Sequence, residues 1–134
     1  RARVDMCRSK GFDAVDFDNV DGYTNGTGFG LTGADQLRFN RFLAGLAHGA
    51  GLLVALKNDP GQISQLRPDF DFAVDEQCYS GGGCGLGRFV AAGKPVFDIE
   101  YALAPGKFCP AANRENVNAL RKRLSLDAGR VACR

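Results

Sequence analysis

The chain carries one histidine, one methionine and no tryptophan among its 134 residues. With His48 as the only imidazole, neither a histidine-rich metal cluster nor a Ser-His-Asp triad has much to build on. No apolar run approaches the ~20 residues that a bilayer-crossing helix needs. Net charge is only +2, too small to point to nucleic acid or an anionic membrane as partner. The opening "RARVDMCRSK" has no apolar centre, so it is not a secretory signal; it reads as a helix feeding a strand. Because it starts at Arg1 rather than Met, the chain looks cut from a longer precursor. Internal repeats and low-complexity tracts are also missing, so residues 1–134 are expected to form a single unit.

What is present is an ordinary globular composition, 45% apolar and 24% charged. Five cysteines are many for a chain kept reduced, and they favour an oxidising, secreted or extracellular setting. Cys78 and Cys84 flank the flexible "YSGGG", which a local disulfide would staple. Cys109 and Cys133 bracket the expected C-terminal helix and can pair across it, which leaves Cys7 needing a partner elsewhere.

Four segments share one design: "FDAVDFDNV", "GLLVALKND", "FDFAVDEQC" and "KPVFDIEYA" are apolar, β-branched or aromatic runs with polar ends. Helical stretches separate them. "TGADQLRFNRFLAGLAHGAG" opens with Thr32 and Asp35 as a capping box, repeats Phe39, Phe42, Leu43, Leu46 and Ala47 at helical spacing, and closes at Gly51. "DPGQISQLRPD" predicts a helix with Asp59 as N-cap, stopped by Pro68, and "GLGRFVAAG" a further turn or two. "NRENVNALRKRL" predicts a last helix with Val117, Leu120 and Leu124 on one face. The basic residues Arg38, Arg41, Arg114, Arg121, Lys122 and Arg123 then decorate solvated helix faces. Strands and helices in alternation imply an α/β fold with a parallel sheet, either doubly wound or part of a (β/α)8 barrel. A whole barrel needs roughly 250 residues, so a chain this short supplies about half of one.

In parallel α/β folds the chemistry gathers at the C-terminal ends of the strands. Here those ends carry Asp16, Asp18, Asn19 and Asp21, then Lys57, Asn58 and Asp59, then Asp75, Glu76 and Gln77, and finally Asp98, Glu100 and Tyr101. By the two-residue strand period, Asp18, Lys57, Glu76 and Glu100 are expected on faces that meet in one pocket. Several carboxylates around one lysine suit glycoside hydrolysis, which needs two carboxyl groups, one acid and one nucleophile or base. Crowding drives their pKa values apart, so one can stay protonated while another is ionised. "DFDNVDG" fails as a calcium loop, since Asp21 rather than glycine stands at the sixth position, and "GGGCGLG" lacks the Lys-Ser/Thr of a phosphate loop. No metal or cofactor is expected.

The series "DNVD", "LKND", "DEQC" and "IEY", in this order, resembles the endo-α-1,4-polygalactosaminidases of glycoside hydrolase family 114, over about residue 5 to Cys133. The resemblance implies a (β/α)8 barrel of which this chain holds about the last four strands. It also implies Asp18 as nucleophile or base and Glu76 as general acid/base. Asp16, Asn19, Asp21, Lys57, Asn58, Gln77, Glu100 and Tyr101 are then expected to bind substrate. Two departures stand out: Asp75 occupies the position usually held by asparagine, and Ile99 precedes the glutamate of the last motif. The implied partner is a cationic galactosamine-containing polysaccharide, which the acidic strand ends would attract. Tyr23, Tyr79 and Tyr101 are candidates to stack on sugar rings. Pairing with a missing N-terminal half-barrel is a further expected partnership. The competing readings are a glycan-binding or inactive half-barrel and, more distantly, a Schiff-base lyase using Lys57, which neighbouring carboxylates would hinder by raising its pKa.

Overall fold

A computed structural model describes residues 1–134, which fall into two compact units, Arg1–Phe72 and Ala73–Arg134. In the first unit, helix α1 (Ala2–Ser9) leads into strand β1 (Ala14–Asp16), helix α2 (Gly33–Gly49) and strand β2 (Leu53–Lys57). β1 and β2 are parallel, with Asp16 beside Ala55 and Val15 beside Val54. Val15, Val54, Leu56 and Ala47 are buried, and α2 lies against β2.

Helix α2 starts where the capping box places it: Thr32 accepts from the Asp35 N–H at 3.2 Å and donates its own N–H to the Asp35 carboxylate at 3.0 Å. Gly51, at φ +74°, takes the left-handed turn that ends it. Its inward face differs from the expected one. Phe39 and Phe42 are 51% and 60% exposed, while Gln36, Asn40, Ala44 and Ala47 form the buried row. That row runs at four- and three-residue steps, and its polar tips find partners described below.

The stretch after Asp59 is not one helix. It breaks into a 3-10 turn (Pro60–Gln62), a four-residue helix α3 (Ile63–Leu66) and a second 3-10 turn (Arg67–Asp69). Asp59 sits at φ 54° with no side-chain cap, because its carboxylate is committed elsewhere.

In the second unit, strands β3 (Phe72–Glu76), β4 (Val96–Glu100) and β5 (Asn118–Lys122) run parallel, joined by helices α4 (Gly87–Ala91) and α5 (Pro105–Arg114). Strand β6 (Arg130–Ala132) returns antiparallel to β5. The expected last helix is therefore strand β5, and Arg121 and Lys122 are strand residues. Helix propensity favoured the helical reading, but α5 ends at Arg114 and Asn116 turns left-handed at φ 58°. Val117, just ahead of β5, and Ala119 within it are then buried at the two-residue spacing of extended chain, so pairing and burial override propensity. Both expected disulfides are present, Cys78–Cys84 and Cys109–Cys133, and Cys7 is free. The second ties α5 to the end of β6. Parallel strand–helix units of this kind make the fold α/β.

Candidate active site

The strand ends share one backbone device. Asn19, Asn58, Asp59 and Gln77, which stand at or just beyond the ends of β1, β2 and β3, all have φ between 54° and 62°. A left-handed residue reverses the chain at once, so side chains at the strand end are presented beside a tight loop rather than a gradual bend.

In the first unit, Asp18 and Lys57 come together, with Nζ 3.3 Å from Asp18 Oδ1. The Asn19 N–H donates to the same oxygen at 2.9 Å and holds the carboxyl below the usual carboxylate range, with the Lys57 charge acting in the same direction. The Asp18 side chain is 69% exposed while Lys57 is buried, so an ionised carboxylate faces outward on a buried cationic support. Asp16 ends β1 exposed, beside a cavity of about 350 Å³ that Cys7, Phe12 and Met6 also line. Asp21 is half-buried, and its carboxylate accepts from the Asn25 amide at 3.4 Å. Asn58 is half-buried beside Asp59.

Behind these residues lies a network that the hydropathy pattern of α2 did not reveal. Asn40 donates to the Val20 carbonyl at 2.9 Å and to Asp59 Oδ2 at 3.1 Å, and accepts from the Gln36 amide at 2.8 Å. The Tyr23 hydroxyl donates to Asp59 Oδ1 at 3.2 Å. Tyr23 passes so close to the chain that a Cβ at Gly61 would stand 2.7 Å from its hydroxyl oxygen. Burial pushes the Asp59 carboxyl up to about 6. The network ties the loop following Asp18 to the loop following Lys57. The legible signal for it was two amides four residues apart on a helix otherwise rich in apolar residues.

In the second unit, Glu76 and Tyr101 come together: the Tyr101 hydroxyl donates to Glu76 Oε1 in a short hydrogen bond. Glu100 is not with them. Parallel register sets Glu76 beside Ile99 and Asp75 beside Asp98, so Glu100 falls on the face opposite Glu76. The expectation that Glu76 and Glu100 share a pocket face is corrected accordingly: β4 is phased one residue out from β3. Glu100 is fully buried, and its Oε1 accepts from the Tyr79 N–H at 2.7 Å and the Ser80 N–H at 3.1 Å. Asp98, also fully buried, accepts from the Cys78 N–H at 3.2 Å, and burial pushes its carboxyl up to about 7. Gln77 is exposed. Tyr79 donates to Glu115 at 2.9 Å and stacks on Phe108 with ring centroids 6.1 Å apart, which commits its ring to packing. Asp75, Cys78 and Cys84 cluster closely, but both sulfurs are consumed in the disulfide and hold no metal. His48 pairs with Asp71 at 2.9 Å on the surface.

The profile of glycoside hydrolase family GH114 matches residues 1–134. The chain belongs to this family. Among solved structures, the crystal structure of Aspergillus fumigatus Ega3 in complex with galactosamine is 35% identical with a TM-score of 0.89, covering 98% of this chain and 58% of that one. The glycoside hydrolase domain of PelA from Pseudomonas aeruginosa shares the fold at 15% identity and a TM-score of 0.64, covering 98% of this chain and 61% of that one. A variant of the same domain, with one glutamate exchanged for alanine, gives 14% and 0.70 over the same shares. No curated protein sequence matches significantly. The GH114 fold places these strand–helix units as part of a (β/α)8 barrel, and the chain spans about three-fifths of each solved structure it matches.

Proposed function

We propose that the protein containing this chain hydrolyses α-1,4-linked galactosamine polymers, with Asp18 as nucleophile or base and Glu76 as general acid/base. The observation that carries the reading is the likeness to Ega3, a structure holding galactosamine, across 98% of this chain. The local chemistry supports it. Asp18 is kept ionised by the Asn19 N–H and Lys57, as an attacking or base carboxylate must be. Glu76 has its carboxyl oriented by Tyr101, as an acid must be to reach one leaving oxygen. Asp16, Asn19, Asp21, Lys57, Asn58, Gln77 and Tyr101 remain proposed substrate contacts, whereas the buried Glu100 does not. Two disulfides support a secreted or extracellular location. No helix is long and apolar enough to cross a membrane.

The test is release of reducing ends from partially deacetylated polygalactosamine by the intact protein. Asp18→Asn and Glu76→Gln should each lower the rate by at least about 100-fold while the protein stays folded, with a single cooperative thermal transition. Full activity in either variant would remove that residue from the chemistry. For the isolated chain a binding-only role is the second reading, favoured because Leu53 on β2 and Phe97 on β4 are 52% and 43% exposed. Polymer binding by the 134-residue chain without reducing-end release would establish it.

A further inference from the structure

Resting on the reading of Glu76 as the acid, we propose that Asp98 and Glu100 are positioning residues for it, holding from behind the turn that leaves β3. The buried row of β4 is Val96, Asp98 and Glu100, at 1%, 0% and 0% exposure. Putting two carboxylates in such a row is costly, and apolar side chains of similar size would be at least as stabilising. Stability alone therefore does not account for them.

Their bonds do. Asp98 Oδ1 and Glu100 Oε1 together accept the N–H groups of Cys78, Tyr79 and Ser80, three consecutive residues beginning two after Glu76. Asp98 Oδ2 and Glu100 Oε2 have no hydrogen-bond partner, so each carboxylate is oriented wholly by this loop. The same loop is closed upon itself by Gly81 N–H to Gln77 O at 2.9 Å, by Gly83 N–H to Cys78 O at 2.8 Å, and by the Cys78–Cys84 disulfide. It is a small rigid ring, and the buried acids fasten that ring to β4.

The neighbour of Glu100 completes the arrangement. Tyr101, on the opposite face, donates to the Glu76 carboxylate. Consecutive residues at the end of β4 thus grip β3's exit from both sides, Glu100 by the backbone and Tyr101 by the acid's side chain. Loss of the backbone grip lets Glu76 drift relative to Tyr101 and to the leaving oxygen, without altering any group that contacts substrate.

The experiment compares two substrates in the intact protein: the polymer, whose leaving oxygen must be protonated, and a 2,4-dinitrophenyl glycoside of a galactosamine oligomer, whose leaving group needs no acid. Glu100→Ala should lower kcat on the polymer by about 100-fold, the scale of an ångström-sized misplacement, with KM within about twofold. On the aryl glycoside the loss is read in kcat/KM, which ends at leaving-group departure and excludes the later step in which Glu76 would act as base, and it should be less than about fivefold. Glu100→Gln, which keeps an acceptor toward both amides, should recover polymer kcat to within about fivefold of the parent. Equal losses on both substrates, or no recovery in Glu100→Gln, would overturn the proposal. Should Glu100→Ala fail to fold, Asp98→Ala replaces it, with the same selective loss expected and an equal loss counting against. Glu76→Gln serves as reference: a variant without leaving-group selectivity sinks the assignment of Glu76 itself, a result separable from failure of the grip.

Discussion

Asp98 holds a carboxyl that burial raises from an ordinary 3.8 to about 7. In the unfolded chain the same group titrates near about 3.9, so between about pH 4 and pH 7 the folded protein binds the extra proton. Its contribution to stability is therefore greatest below the unfolded value and declines as pH rises through this window. Asp59, raised to about 6, acts with the same sign over a narrower range. Asp98→Asn should flatten the fall in urea midpoint between pH 4.5 and 7.5, since the amide does not titrate. An unaltered pH slope in that variant would show that the burden lies on other groups. The opposite sign belongs to Asp18, whose lowered carboxyl stabilises above its unfolded pKa and loses that contribution on acidification.

Helix α2 separates what a pattern discloses from what it conceals. Its start and stop were legible because a capping box and a left-handed glycine are local devices, settled by residues a few positions apart. Its buried face was not, because Asn40 is drawn inward by Val20 and Asp59, far along the chain, and Gln36 follows it by donating to its amide oxygen. Asn40→Leu should accordingly cost about 2–4 kcal/mol in urea unfolding, leaving Val20 O, Asp59 and Gln36 each short of a partner. Phe42→Ala, on the exposed side, should stay within about 0.5 kcal/mol. Reversed magnitudes would restore the apolar face as the core. Strand β5 was illegible for a related reason: its Ala, Leu, Arg and Lys favour a helix, and only pairing with β4 makes them a strand. For the candidate site, the polar strand ends were readable one strand at a time. The phase of β4 against β3, which removes Glu100 from the face of Glu76, depends on register and is written in no single segment.

At the scale of the molecule, net charge is nearly balanced, so the attraction for a cationic polymer that the proposed function requires would have to come from acids near the strand ends. Such attraction acts within a Debye length of roughly 10 Å at 0.1 M salt. Polymer binding measured by titration should weaken by about threefold or more between 0.05 and 0.5 M salt. An unchanged Kd would leave the acidic ends without a steering role. Leu53 and Phe97, open to solvent on strands, predict that the 134-residue chain by itself self-associates in sedimentation velocity. A monodisperse, cooperatively unfolding monomer would contradict this.

The left-handed residues at the strand exits carry a consequence for anyone breeding a hardier variant. Outside glycine that backbone geometry costs roughly 1 kcal/mol or more per residue, less for the asparagines and aspartate at Asn19, Asn58 and Asp59, so Gln77 bears most of it. Selection for heat endurance alone would pull Gln77 toward glycine, where relief of the backbone outweighs the added freedom of the unfolded chain, and would leave Asn19 and Asn58 nearly neutral. On the proposed hydrolytic reading, such a survivor would be sturdier and slower, with its loss in turnover arising where the chain doubles back beside Glu76.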